Sequence, residues 1–221
     1  MLYRSSVGKK VVMAVTGLML LLFVIAHMLG NLKIYQGHVA YNAYAEHLRE
    51  IGEPILARGQ MLWIARIVLL AAVSWHILAA AELTIMSRKA RRIPYQMQQR
   101  IAFSYASYTM RWGGVVILLF VIYHLMHLTL GSAHHDFVPG SVYHNVVAGF
   151  RVLPVSLAYI AAMIPLGFHL YHGLWSAFQT LGINNPRYNQ WRRPFALSIS
   201  LIVFIGNISI PLAVLTKIVR E

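Results

Sequence analysis

The chain contains no cysteine among its 221 residues. Structural disulfides, iron–sulfur ligation, thiolate catalysis and the C-x-x-C-H attachment of c-type haem are therefore excluded. Acidic side chains are nearly as scarce, with six Asp and Glu against 19 Lys and Arg and a formal charge of +13. Charged residues of both signs reach only 11%, against roughly 25% in soluble domains. Hydrophobic residues make up 58%. In a soluble protein the basic excess would suggest nucleic acid. Here the bases lie between long apolar runs, so membrane lipid headgroups and topology account for them better.

Five runs approach the ~20 apolar residues needed to cross the hydrocarbon core, at 11–32, 61–83, 112–130, 155–178 and 195–216. The expected fold is an all-α membrane protein with five transmembrane helices in one domain covering 1–221. The first run is too long for a secretory signal and no A-x-A site follows it, so it reads as a retained span. Pro165 and Pro211 fall inside the last two runs, a placement membrane helices tolerate.

Twelve Lys and Arg lie on the side of the N-terminus: three before the first span, six between the second and third, and three before the fifth. Six lie on the other side, with Arg66 inside the second span. The positive-inside rule puts the N-terminus in the cytoplasm and the C-terminus outside. In the outer loop, Tyr41, Tyr44, Ala45 and Leu48 follow helical spacing, which predicts a short amphipathic helix over 41–51 lying on the outer surface.

Four of the five spans carry histidines, and a protonatable ring inside hydrocarbon is a functional-site hypothesis by default. At a rise of ~1.5 Å per residue, His27 lies about 24 Å and His124 about 18 Å above the inner surface, while His76 and His169 lie about 10 and 14 Å above it. This sorts them into an outer pair (His27, His124) and an inner pair (His76, His169), each joining two helices. Axial ligation of two b-type haems requires such pairs, one ring nitrogen on each face of the porphyrin. Depth alone does not choose between His124 and His127, or between His169 and His172. Gly173 shares the face of His169 and would let a flat macrocycle approach. A metal or proton transporter is the alternative for an H-x-x-H helix, but such sites usually recruit carboxylates or thiolates, and the spans offer only Glu82. Arg66 and Arg151 are candidates to contact a haem propionate or a quinone, with snorkelling to the interface as the plainer reading.

The motifs SSVGKKVVMAVTGL (5–18), His27 with Gly30 and Asn31, SWHILAAAEL (74–83), VIYHLMHLT (121–129) and HLYHGLWSAFQTLGINN (169–185) together resemble a known family. It is the cytochrome b membrane anchor of succinate dehydrogenase and fumarate reductase, in the single-polypeptide, five-helix, di-haem form. The resemblance runs along nearly the whole chain. It implies a bundle around two haems b, with His27, His76, His124 and His169 as axial ligands to haem iron. The pairs it implies are His27–His124 and His76–His169. His127 and His172 depart from the simplest family pattern.

The resemblance also implies partners. A flavoprotein and an iron–sulfur subunit of succinate dehydrogenase would dock on the cytoplasmic face, against the basic loop over 88–111. Electrons would pass to the inner haem, the outer haem and a quinone, menaquinone in most two-haem members. The expected location is the bacterial cytoplasmic membrane, and the expected role lies in electron transport and the tricarboxylic acid cycle as respiratory complex II. No succinate-site chemistry is expected in this chain. Glu46, Glu50 and Glu53 of the outer loop could supply protons to an outer quinone site. The rival reading within the same chemistry is the cytochrome b anchor of a hydrogenase or formate dehydrogenase.

Overall fold

The computed structural model describes Tyr3, residues 5–90, 105–183 and 185–221, with the backbone alone over 105–108. Among the described residues the regular structure is all helix, without a strand. Seven α-helices run in chain order: α1 (Ser6–Asn31), α2 (His38–Glu50), α3 (Gln60–Lys89), α4 (Tyr105–His124), α5 (Val142–Arg151), α6 (Leu153–Thr180) and α7 (Pro186–Leu215). A 3-10 segment (Leu32–Gln36) extends α1, and a π-helical turn (Leu125–Thr129) extends α4.

Among the described residues five helices are long and apolar enough to span a bilayer: α1, α3, α4 with its π turn, α6 and α7. In each, only 11–33% of the most apolar window is buried inside the protein. A helix that is apolar all round yet little covered by protein is one that lipid solvates. The chain is therefore a multi-pass membrane protein by fold.

Local chemistry sets the ends. Ser5 caps α1 by accepting the Gly8 N–H at 3.0 Å. Asn185 caps α7 by accepting the Arg187 N–H at 2.9 Å, with Pro186 as the first helical residue. This cap starts α7 nine residues before the apolar run at 195, and α7 continues through Pro194 and Pro211. α3 likewise continues past Leu83 to Lys89, because its last turn ends on the cations Arg88 and Lys89 that suit a helix C-terminus.

In the bundle, α3 packs on α1, α1 on α6, and α6 on both α4 and α7. At the end holding the α1 N-terminus, Lys9 is buried and pairs with Glu82 of α3. Leu21, Leu174 and Ala196 form a small core in the half of the bundle nearer that end. The opposite end is a built cap. α2, α5, the 3-10 segment and the C-terminal residues close over a larger core that includes Ile34, Tyr41, Val147, Phe150, Tyr159 and Ile210. Its polar ties are specific: Tyr41 donates to Asn31 Oδ1 (3.0 Å), the Tyr143 amide to Asn42 Oδ1 (3.0 Å), and the Tyr143 hydroxyl to the Arg220 carbonyl (2.8 Å). Tyr41 is 4% exposed and desolvation lifts its phenol to about 12, so it remains a neutral donor. The amphipathic segment expected over 41–51 is α2, with Tyr41 turned into this core.

Candidate site: two facing histidine pairs

Each of α1, α3, α4 and α6 brings one histidine ring to a partner ring. His27 of α1 faces His124 of α4 with ring centroids 5.8 Å apart and planes at 87°. His76 of α3 faces His169 of α6 at 6.1 Å and 61°. Two imidazoles bound through nitrogen to one metal ion would hold their centroids about 6 Å apart, given metal–nitrogen bonds of ~2 Å. Both pairs have that separation. Among the described residues, neither α1 with α4 nor α3 with α6 makes an extended packing contact. Each pair therefore reaches across a gap between helices held apart by others.

The unused ring nitrogens show how the rings are oriented. His76 Nδ1 lies 3.1 Å from the Met13 carbonyl and 3.2 Å from Thr16 Oγ1. The Thr16 hydroxyl already donates to the Val12 carbonyl at 2.7 Å, so Nδ1 is the protonated nitrogen of His76 and donates. That leaves Nε2 as the nitrogen that can bind a metal. α1 permits the approach because residue 17 is glycine: a Cβ there would stand 3.1 Å from His76 Cε1. His124 Nδ1 lies 3.4 Å from the Tyr159 hydroxyl. His27 stacks on Phe23 of its own helix at 5.3 Å. Among the described residues His169 Nδ1 is buried without a hydrogen-bond partner of good geometry. A Cβ at Gly173, one turn along α6, would meet nothing within 4 Å, so that face is open.

Two helices measure the separation of the pairs independently. On α1, His27 is ten residues from Gly17, which touches His76. On α6, His169 is ten residues from Tyr159, which touches His124. Both give about 15 Å along the bundle axis. The pairs are stacked, one in each half of the bundle.

The remaining candidates are placed elsewhere. His127, only 1% exposed, hydrogen-bonds Tyr159 and stacks on Tyr123 and His134. His172 meets Trp175 edge-on at 5.7 Å. Arg66 is exposed and lies over the Trp63 ring at 4.9 Å, and Arg151 is exposed and pairs with Glu221 at 2.9 Å. Glu46 is held by Arg49 and Arg58, while Glu50 and Glu53 are exposed. Of the basic loop, Arg88, Lys89 and Arg111 belong to α3 and α4, whereas Arg91, Arg92 and Arg100 lie outside the described residues. Tyr159 was not among the sequence candidates. Its signal was available, since it sits ten residues before His169 and so at the height of the other pair.

Among the described residues no group of three or more His, Asp or Glu is arranged to hold a metal ion. Each pair brings two imidazoles to the separation that two ligands of one ion would have. Comparison with family models, curated proteins and solved structures gave no match to this chain.

Proposed function

We propose that this protein is the membrane-anchor cytochrome b subunit of a succinate:quinone oxidoreductase, holding two haems b and carrying electrons between an iron–sulfur partner and menaquinone. The observation that carries the reading is the double pair itself. Four histidines from four helices meet two by two at about 6 Å, between helices that, among the described residues, make no extended packing contact. A haem held by each pair would supply one-electron chemistry.

The chain's own residues would do the rest. His27 and His124 bind one iron, His76 and His169 the other. Met13 and Tyr159 receive the Nδ1 protons of His76 and His124, which fixes tautomer and ring plane and strengthens each imidazole as a ligand. Gly17 and Gly173 leave room beside the rings. The apolar bundle excludes water, so each potential is set by ligand basicity and local dielectric. With the N-terminus cytoplasmic, the His76–His169 site is the inner one, nearer the iron–sulfur partner, and the His27–His124 site lies nearer the outer surface. Arg88, Lys89 and Arg111 then contribute to the face on which the partner docks.

The test is a reduced-minus-oxidised visible spectrum of the purified full chain, with haem counted by extraction. Two non-covalent b-type haems per chain are expected, and a preparation without haem bands would overturn the reading. Co-purification with a subunit carrying covalently bound flavin is expected as well. A hydrogenase or formate dehydrogenase module in its place would transfer the anchor to another enzyme.

A further inference from the structure

Apart from the four facing histidines, which are only partly covered by protein, one imidazole among the described residues is fully buried. His127 is 1% exposed, and its Nδ1 lies 3.0 Å from the Tyr159 hydroxyl. Tyr159 is itself 7% exposed, wedged between Phe120 and Phe150 at ring distances of 5.0 and 4.8 Å, and its hydroxyl also lies 3.4 Å from His124 Nδ1. The three groups form a line from α4 through α6 and back to the π turn that follows α4. That turn is what allows it. His124 and His127 are three residues apart, and the wider ring of a π turn re-aims the second side chain.

The direction of each proton follows from the inventory of donors. If His124 binds iron through Nε2, its Nδ1 must carry a proton and donate, so the Tyr159 oxygen accepts. The single Tyr159 proton is then free to go to His127 Nδ1, which must be unprotonated. The His127 ring is held in place from its far side as well. His134 stacks on it at 4.7 Å, donating from Nε2 to the Asn145 carbonyl (2.8 Å) while its Nδ1 accepts the Asp136 amide (3.0 Å). Gly149 makes the space: a Cβ there would lie 2.7 Å from His127 Cε1 and 3.0 Å from His134 Nε2.

We propose that Tyr159 and His127 are positioning residues for His124. They form a two-step hydrogen-bonded support that fixes the His124 ring and increases its basicity, thereby lowering the reduction potential of the haem shared by His27 and His124. The inference rests on the proposed haem ligation. Its physical basis is that an acceptor on the far nitrogen of a ligating imidazole makes it a stronger donor, which favours ferric iron. The other pair has a different device, the Met13 carbonyl, so the two haems can be tuned separately.

The test is a redox titration of the haem-loaded full chain, following both haems by visible spectrum. In Tyr159→Phe the ring packing is kept and only the hydroxyl is lost. One of the two potentials is expected to rise by about 59 mV, a roughly tenfold fall in the ferric-to-ferrous ratio at a fixed potential for one electron, with the second haem unmoved. In His127→Leu the same haem should move in the same direction by less, because Tyr159 remains to accept from His124. Two bound haems with unchanged potentials in Tyr159→Phe would overturn the proposal while leaving the haem reading intact. An equal shift of both haems would overturn it too, as a general loosening of the bundle. If Tyr159→Phe does not accumulate, His127→Leu decides alone by the same criterion. Wild-type protein without haem would instead remove the reading beneath it.

Discussion

His169 and His172 share a helix and an apolar setting, yet their neighbours give them different capacities. The His169 ring meets His76 across the bundle, whereas His172 meets Trp175 three residues along its own helix. On the proposed ligation, removing His169 should eliminate one haem and removing His172 should leave both. Visible spectra of His169→Ala and His172→Ala, measured side by side, check this, and loss of a haem in His172→Ala alone would reverse the assignment. The glycine at 149 makes a second residue-level claim. A methyl group there must displace His127 or His134, both locked by partners, so Gly149→Ala should destabilise the bundle by about 1–3 kcal/mol. Thermal unfolding in detergent measures it. A neutral result would mean that the two rings yield without cost.

At the level of elements, α5 is fastened to the end of the chain by charge. His144 meets Glu221 and Asp136, and Arg151 meets Glu221. Burial works against a charge on His144, but its hydrogen bonds to Glu221 and to the Asp136 backbone, with the two carboxylate charges, outweigh this and raise its pKa above the ordinary value near 6.5. A pKa raised on folding adds stability that is fully present below 6.5 and is lost as pH rises through the folded value. Amide exchange in α5, corrected for intrinsic rates, should therefore be slower at pH 6 than at pH 8, by up to about fivefold for a surface ion pair. In His144→Gln the difference should vanish. α5 also marks where sequence reading stops. The spans were legible because a bilayer demands ~20 apolar residues whatever their neighbours. The two pairs at different depths were legible because helical rise converts residue number into height. α5 is ten residues long, about half of what a bilayer demands, so a reading for spans passes over it although one face is apolar; that face packs on α2, α6, α7 and the π turn. The π turn escaped for a related reason: one regular helix through His124 and His127 would leave both rings near one face, and only packing shows that they separate. Tyr159 is one of twelve tyrosines, and its distinction is a partner rather than a spacing.

For the whole molecule, five spans place the two ends of the bundle on opposite sides of a bilayer, and the charge distribution decides which is which. The end with α2 and α5 is a folded cap whose loop exposes Ile55 at 92%. The other end carries Arg88 and Lys89 at the close of α3 and the buried Lys9. Lys and Arg are retained on the cytoplasmic side during insertion, so the cap should face outward. The lack of cysteine makes this directly measurable, because any thiol introduced is the only one in the chain. In intact cells a membrane-impermeant maleimide should label Ile55→Cys at once and Ala90→Cys only after permeabilisation. The reverse pattern would turn the molecule over and exchange which histidine pair lies nearer the cytoplasm. The electron path would then enter at His27–His124, and the Tyr159–His127 support would act on the first haem reached instead of the second. On the proposed haem ligation, orientation thus carries a functional consequence: with the cap outward, the support would lower the potential of the haem nearer the outer surface, the one from which electrons would pass to quinone. It would then tune the last transfer in the chain and leave the first to the Met13-supported pair.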